Sequence, residues 1–458
     1  MIEQNEIDTC IEYTLKVLLG DQSNDVLRKY ISYSESEPRT ENTVRLCIIP
    51  SGLFGEDYGK LSSLPRLPLE EIEGVPLLYG TPQIRREGDR LIIHADIIAS
   101  TYFLVTRYEE MVRRDVRDEH GRFPGKESLP CRAGFIHRPI VDEYAALLRK
   151  WLREAGINIP ESSRKFSVLS THDVDIILKY GNPVRTMASA ALGNRPWREV
   201  SENLAVWFKL KSDPFDAFDQ MLQHDKMLSE RNGIRAEVVY FFMSGGQSQF
   251  DGMYNIHSKV AKSTIKLVYE SGAEIGLHTS YEAGIRPELI EEEKAILEDV
   301  CGFPIHCNRY HFLTWREIEN GWALAKAGIN RDSSLGYADV AGFRLGVCRP
   351  IPLFDPIKMQ PFGIEEHPLI VMDCTLSRDN YMNLSEEEAL SYCRSLIDQT
   401  RKHGGEFVML WHNTVFSTEQ SNYHPKLFQK LLRELNYVGE KNEKPYEPFD
   451  ISHGSNKS

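Results

Sequence analysis

The stretch Ser167-Val-Leu-Ser-Thr-His-Asp-Val-Asp-Ile176 decides how the chain is read. An apolar run, Phe166–Ser170, leads directly into His172, Asp173 and Asp175. Short, continuous apolar runs are the mark of strands buried on both faces. Ionisable groups at the end of such a strand cost free energy unless they find partners or a task. The same pattern recurs downstream. Ala236–Met243, Ala273–Leu277, Pro304–Cys307, Leu369–Met372 and Glu406–Leu410 are further apolar runs. Helical patterns lie between them. Pro214–Glu230 sets Phe215, Phe218 and Leu222 on one face. Ser385-Glu-Glu-Glu388 is a capping box opening a helix that stops at Gly404-Gly405. Strand then helix, repeated, predicts a parallel sheet with right-handed crossovers. Over about 250 residues it favours a distorted or incomplete (β/α) barrel over an open doubly wound sheet.

In such folds the C-terminal ends of the strands converge on one mouth. The residues placed there are chemically pointed. His172, Asp173 and Asp175 follow the first run, and His278-Thr279-Ser280 follows Ala273–Leu277. Arg309 and His311 follow Pro304–Cys307. Asp373 follows Leu369–Met372, and Trp411-His412-Asn413 follows Glu406–Leu410. Each signal alone is weak, because a single strand-end histidine is more often a hydrogen-bonded structural residue. Their recurrence at five successive strand ends is the stronger signal.

The ordered set Thr-His-Asp-Val-Asp (171–175), Glu-Ile-Gly-Leu-His-Thr-Ser-Tyr (274–281), Arg-Tyr-His-Phe-Leu (309–313), Val-Met-Asp (371–373) and Leu-Trp-His-Asn (410–413) resembles the NodB-homology polysaccharide deacetylase family. The likeness spans roughly residues 165–435. It implies a NodB-like barrel, a divalent metal such as zinc, and removal of an acyl group, usually acetyl, from a carbohydrate amine. Carried over by position, the likeness makes Asp173 the general base and His412 the general acid. It makes Asp373 the carboxylate that orients His412, and Arg309 the cation beside the base. The metal ligands are expected to be Asp175, His278 and His311. Two departures stand out. Val174 separates two aspartates that are adjacent in many members, which leaves the division of roles between Asp173 and Asp175 open. Four residues past His278, where the family has its second ligating histidine, stands Glu282. The third ligand is therefore either His311 or Glu282, and His311 is preferred because it adjoins the motif arginine. One carboxylate and two imidazoles suit zinc or another late divalent ion.

Residues 1–160 read as a smaller α/β domain. It opens with an amphipathic helix (Ile11, Leu15, Leu18, Leu19), followed by strands at Val44–Pro50, Pro76–Tyr79 and Arg90–Ala95. Helices follow from about 97 to 113 and from 141 to 154. The stretches Thr101–Glu110 and Gly121–Phe123 resemble the uncharacterised N-terminal domain that accompanies some bacterial members of the family. Supporting the barrel or shaping the substrate site is its expected role. Residues 165–435 form the barrel domain, and 440–458, rich in Lys, Glu, Asn and Ser, read as a frayed tail.

Other features have plainer readings beside functional ones. His172 is expected to support the site from outside it. Trp411 is either a sugar-stacking ring or a wall aromatic, and Arg344 either a substrate contact on a rim loop or part of a connector. Residues 177–213 carry Arg185, Arg195, Arg198, Trp197 and Trp207. They read as a solvated helical lid, with a grip on a sugar phosphate or a membrane surface as the alternatives.

The net charge of −13 argues against nucleic acid as a partner. Eight scattered cysteines without a Cys-x-x-Cys pair, and no export signal or long apolar run, point to a reduced, cytoplasmic protein without a transmembrane segment. The partner is then a carbohydrate: an amino-sugar glycan or its lipid- or nucleotide-linked precursor. The rival reading is a carbohydrate-binding barrel that has lost hydrolysis. A glycosidase using Asp173 and Asp175 is poorer, since two residues so close on one strand end do not flank a glycosidic bond.

Overall fold

The structure, a computed structural model, describes residues 2–20, 28–34, 43–160, 162–229, 234–417 and 422–436. The tail expected at 440–458 lies outside these. In the first region the strands are β1 (Ile31–Tyr33), β2 (Leu46–Ile48), β3 (Glu70–Ile72), β4 (Val75–Leu77), β5 (Gly80–Glu87) and β6 (Arg90–Ala95). Four of them form a sheet of order β1-β2-β6-β5. In the second region the strands are β7 (Ser167–Val174), β8 (Arg235–Phe242), β9 (Glu274–Thr279), β10 (Cys307–Tyr310) and β11 (Arg331–Asp332). They continue with β12 (Ile351–Asp355), β13 (Gln360–Glu366), β14 (Val371–Met372) and β15 (Glu406–Leu410).

These nine strands form one curled sheet of order β12-β13-β11-β10-β9-β8-β7-β15-β14. Every pairing is parallel except β12 with β13. Among the described residues no pairing joins the two edges, so the barrel is incomplete. The curl follows from a distance. Strands β7 and β10 are three steps apart, about 14 Å on a flat sheet. Yet Asp175, just past β7, lies 3.6 Å from His311, just past β10.

The period-2 alternation of the strands sorts residues between two faces. One apolar cluster fills the inside, with Leu169, Val239, Phe241, Cys307, Val408 and Leu410. The outward neighbours Val168, Tyr240, Ile275, Phe407 and Met409 join a larger cluster beneath the helices. Gly276 belongs to the inside: a Cβ there would meet the Phe241 ring at 2.4 Å. Asp173, Arg309 and His311 fall in register with the inward set, whereas His172 and Trp411 fall in register with the outward one.

The larger cluster also contains Leu18, Tyr102 and Tyr144 of the first region, so the two regions pack through one continuous core. Buried ion pairs cross the boundary between them. Arg107 meets Glu317, Arg344 meets Glu110 at 2.6 Å and Arg349 meets Asp142 at 2.7 Å. Arg107 also explains why the helix expected over 97–113 is broken into Ile97–Val105 and Tyr108–Val112. Its backbone turns left-handed, with φ 56°, and its guanidinium is delivered to Glu317. Strand β10 begins where the apolar run Pro304–Cys307 ends. Asn308 tolerates burial there because its amide donates to Asp332 while its oxygen accepts from Thr279. The β12–β13 hairpin and β11 lie outside the expected strands.

Candidate functional site

Asp175 sits where the curled sheet brings three other strand ends together. Its Oδ1 is 3.1 Å from Nε2 of His278 and 3.6 Å from Nε2 of His311. The imidazole rings of these two histidines have centroids 5.0 Å apart. Both present the same nitrogen, and each has a reason to. His278 donates from Nδ1 to the carbonyl oxygen of Arg309 at 2.9 Å, and His311 from Nδ1 to Asp251 Oδ1 at 3.2 Å. With Nδ1 committed to the protein, each ring turns Nε2 toward the carboxylate of Asp175. One donor atom from each of Asp175, His278 and His311 lies within 4.8 Å of the others, so this trio could hold a metal ion.

Asp173 stands behind the trio, 3 % exposed, with Oδ2 3.7 Å from His278 Nε2. Its other oxygen is buried without a hydrogen-bond partner. A buried carboxylate oxygen left open this way costs free energy unless something else engages it. Arg309 does not reach Asp173 as an ion pair. It lies over the Phe241 ring and donates from one terminal nitrogen to Thr171 Oγ1 and Ser333 Oγ, both at 3.0 Å. Its effect on Asp173 is through the field. Burial pushes the Arg309 pKa down, opposed first by the charge of Asp173.

His412 faces the trio from β15, with Nε2 3.8 Å from Asp175 Oδ2. Its Nδ1 is 2.9 Å from Asp373 Oδ1, and its backbone N–H donates to Asp373 Oδ2 at 2.7 Å. Burial alone would depress the imidazolium. The Asp373 charge and hydrogen bond outweigh it and hold the His412 pKa well above the ordinary value. Asp373 is correspondingly lowered to about 2: burial, which would raise it, is overcome by His412. Cys374 completes a second cluster with this pair, but both Asp373 oxygens are already committed to His412.

A pocket of about 80 Å³ opens over Asp173, Asp175, His311 and His412, with Phe312, Tyr381, Arg122 and Arg378 completing its wall. At about 30 Å³ per water this is room for two or three waters. Glu282 is not part of the pocket. Its carboxylate accepts from the backbone of Gln247 and from Arg286, and the group that could hold a metal contains His311 and not Glu282. Arg344 is also elsewhere. It is buried against Glu110 and Tyr337, and the substrate contact considered for it is not supported. Trp411 is fully buried on the outer face and has no route to a sugar. His172 is held on both sides, by the Trp411 carbonyl oxygen at 2.7 Å and by Asp225 at 3.1 Å.

Two residues of the site have no counterpart among the sequence candidates. Asp251 orients His311 and also accepts the backbone N–H groups of Tyr281 and Glu282. It comes from the loop after β8, the strand end to which no polar candidate was assigned. Its Asp-Gly dipeptide carries only a turn signal. Arg122 comes from the first region. Asp118 grips its guanidinium at 2.7 Å, and it donates to the carbonyl oxygen of Phe312 at 2.8 Å. Phe312 is left-handed, φ 59°, a conformation worth roughly 1 kcal/mol of strain or more for a residue with a side chain. Arg122 thus stabilises the turn that carries His311.

Comparison with known proteins adds the following. Residues 1–156, about a third of the chain, match the model described as "Family of unknown function (DUF7033)". No curated protein matches the chain. Sixteen chains of solved structures match. One is a Mycobacterium smegmatis protein provisionally described as a polysaccharide deacetylase, with 15 % identity and a TM-score of 0.39 over 61 % of this chain and 86 % of the other.

Proposed function

We propose that this chain is a metal-dependent hydrolase that removes an N-acyl group, acetyl by preference, from an amino sugar. The observation that carries the reading is the arrangement at the mouth. Two imidazoles with fixed Nδ1 protons and one carboxylate surround a common point, and a protonated His412 stands across from them. The donor set fits zinc: two neutral imidazole nitrogens and one carboxylate oxygen leave coordination positions open. A divalent ion held there supplies Lewis acidity toward a carbonyl and acidifies water.

The chain's own residues do the rest. Asp173, with Oδ2 3.7 Å from His278 Nε2 and Oδ1 without a hydrogen-bond partner, accepts the proton of the attacking water. Arg309 contributes positive charge near Asp173 without occupying its carboxylate. His412 delivers a proton to the departing nitrogen, and Asp373 keeps the ring oriented and charged for that step. The amino-sugar substrate is supported by the ordered motifs of residues 171–413 and their resemblance to the NodB-homology deacetylases.

The test is acetate release from N-acetylated amino-sugar nucleotides and lipid-linked saccharides. The reading predicts release that Asp173→Asn abolishes while the metal content is retained. Saccharide binding with no acetate release from any of these would instead favour a binding barrel.

A further inference from the structure

The connection between β7 and the helix Phe218–Ser229 carries two helices, Pro183–Ala191 and Trp197–Trp207, packed on each other. Their packing is inside-out. The side chains that the two helices bury are Pro183, Thr186, Ala190, Val200 and Asn203, with Asn203 donating across to Thr186. The large apolar side chains point away. Val184, Met187, Leu192, Trp197, Trp207, Phe208 and Leu210 are between 43 % and 79 % exposed. These seven lie within 27 residues, while the other ten large exposed apolar side chains of the described residues are spread over the remainder of the chain. On the first helix Val184, Met187, Ala188 and Ala191 recur at i, i+3, i+4 and i+7 and form one continuous exposed stripe. A soluble helix pair ordinarily buries such a stripe.

The charge of this segment decides what covers it. Between residues 183 and 211 there are five basic residues and two acidic ones, in a chain whose net charge is −13. Arg195 and Arg198 pair along their own helix with Glu199 and Glu202, and Arg185 and Lys209 add further positive charge. Exposed aliphatic side chains flanked by tryptophans and basic residues match the interface of an anionic bilayer, where indole rings settle at headgroup level and cations meet lipid phosphates. No helix among the described residues is long and apolar enough to cross a membrane, so contact at the surface is the fitting mode.

The hairpin's position ties it to the site. Its base is closed by Asp213, which accepts the backbone N–H groups of Lys179 and Tyr180. Asn413, next to His412, donates to the carbonyl oxygens of Ile176 and Phe215 at the two ends of the insertion. The helices therefore project from the rim of the mouth itself.

We propose that this hairpin docks the protein on an anionic lipid surface, with the pocket mouth beside the headgroups. For the substrate class the proposal rests on the hydrolase reading: the amino sugar is then one carried on a lipid. The docking itself does not depend on that reading. The test is sedimentation of the full chain with vesicles of phosphatidylcholine and phosphatidylglycerol, compared with phosphatidylcholine alone, at low and high salt. Expected are binding to the anionic vesicles, weakening with salt, and a loss of about tenfold or more in the triple variant Leu192→Ser, Trp207→Ser, Phe208→Ser. A second variant, Arg185→Glu with Lys209→Glu, should lose binding with the apolar face left intact. No binding of the parent chain to anionic vesicles, or binding by either variant as tight as the parent's, overturns the proposal. So does sedimentation equilibrium showing that the apolar face is covered by a second copy of the chain. None of these results touches acetate release, so failure of the docking is distinguishable from failure of the hydrolase reading.

Discussion

Asp173 and His172 are adjacent in sequence and face opposite ways. On the inner face of the curled sheet, Asp173 Oδ1 has no hydrogen-bond partner, and the Nε2 atoms of His278 and His311 converge on one carboxylate, Asp175, with Asp173 Oδ2 also 3.7 Å from His278 Nε2. On the outer face, His172 spends both ring nitrogens on the protein, one on the Trp411 carbonyl oxygen and one on Asp225. Both histidine environments are buried, so burial does not separate them. What separates them is what the second nitrogen faces: two imidazoles share the carboxylate of Asp175 at the pocket, while His172 alone meets Asp225 away from it. A lone histidine with its own partners contributes to the fold, while a pair converging on one carboxylate can hold a ligand.

That contrast can be broken at graded points. The largest effect is expected at the acid. His412→Ala should lower kcat by about 10²- to 10⁴-fold, and Asp373→Asn by somewhat less, with metal content unchanged in both. Steady-state acetate release paired with metal analysis reads this. Next come the groups that hold the open histidines. Asp251→Ala frees the His311 ring and should weaken metal binding by about 10- to 100-fold, measured by competition with a fluorescent chelator. Arg122→Ala should move the same readout in the same direction by less, since it acts through the Phe312 backbone, and Arg122→Lys should restore part of it.

On the outer face the expectation reverses. His172→Ala leaves Asp225 without its imidazole contact and should cost about 1 to 3 kcal/mol in urea denaturation, with metal affinity unmoved. The smallest effect is a slope. Burial would lower the His367 pKa, but the Glu365 and Glu406 carboxylates raise it to about 9, above the ordinary 6.5. Its stabilising contribution is therefore full below pH 6.5 and lost as pH rises toward 9. His367→Phe should flatten that part of the stability profile, by no more than about 1.4 kcal/mol per pH unit.

Much of this was legible in the sequence. Five of the sheet's strands overlap the apolar runs, β10 begins at the last residue of a sixth, and the alternation of residues 167–175 already assigns Asp173 and His172 to different faces. The ligand choice was not legible. Four-residue spacing after His278 pointed to Glu282, the neighbouring Arg309 favoured His311, and only the fold shows the Glu282 carboxylate engaged by Gln247 and Arg286. Asp251 and Arg122 were missed for a common reason. Each acts from a loop far from the motif it serves, and a long-range hydrogen bond leaves no periodic trace. The apolar faces of residues before and after the boundary expected near 160 meet in one core, which no local pattern in the sequence announces.

The central claim is that Asp175, His278 and His311 grip a single divalent ion. Its most direct test is metal stoichiometry after equilibrium dialysis of three proteins: the parent chain, His311→Ala and His172→Ala. The account predicts one tightly held ion per chain in the parent and in His172→Ala, and none in His311→Ala. Equal metal in all three, or no metal in the parent, would contradict it.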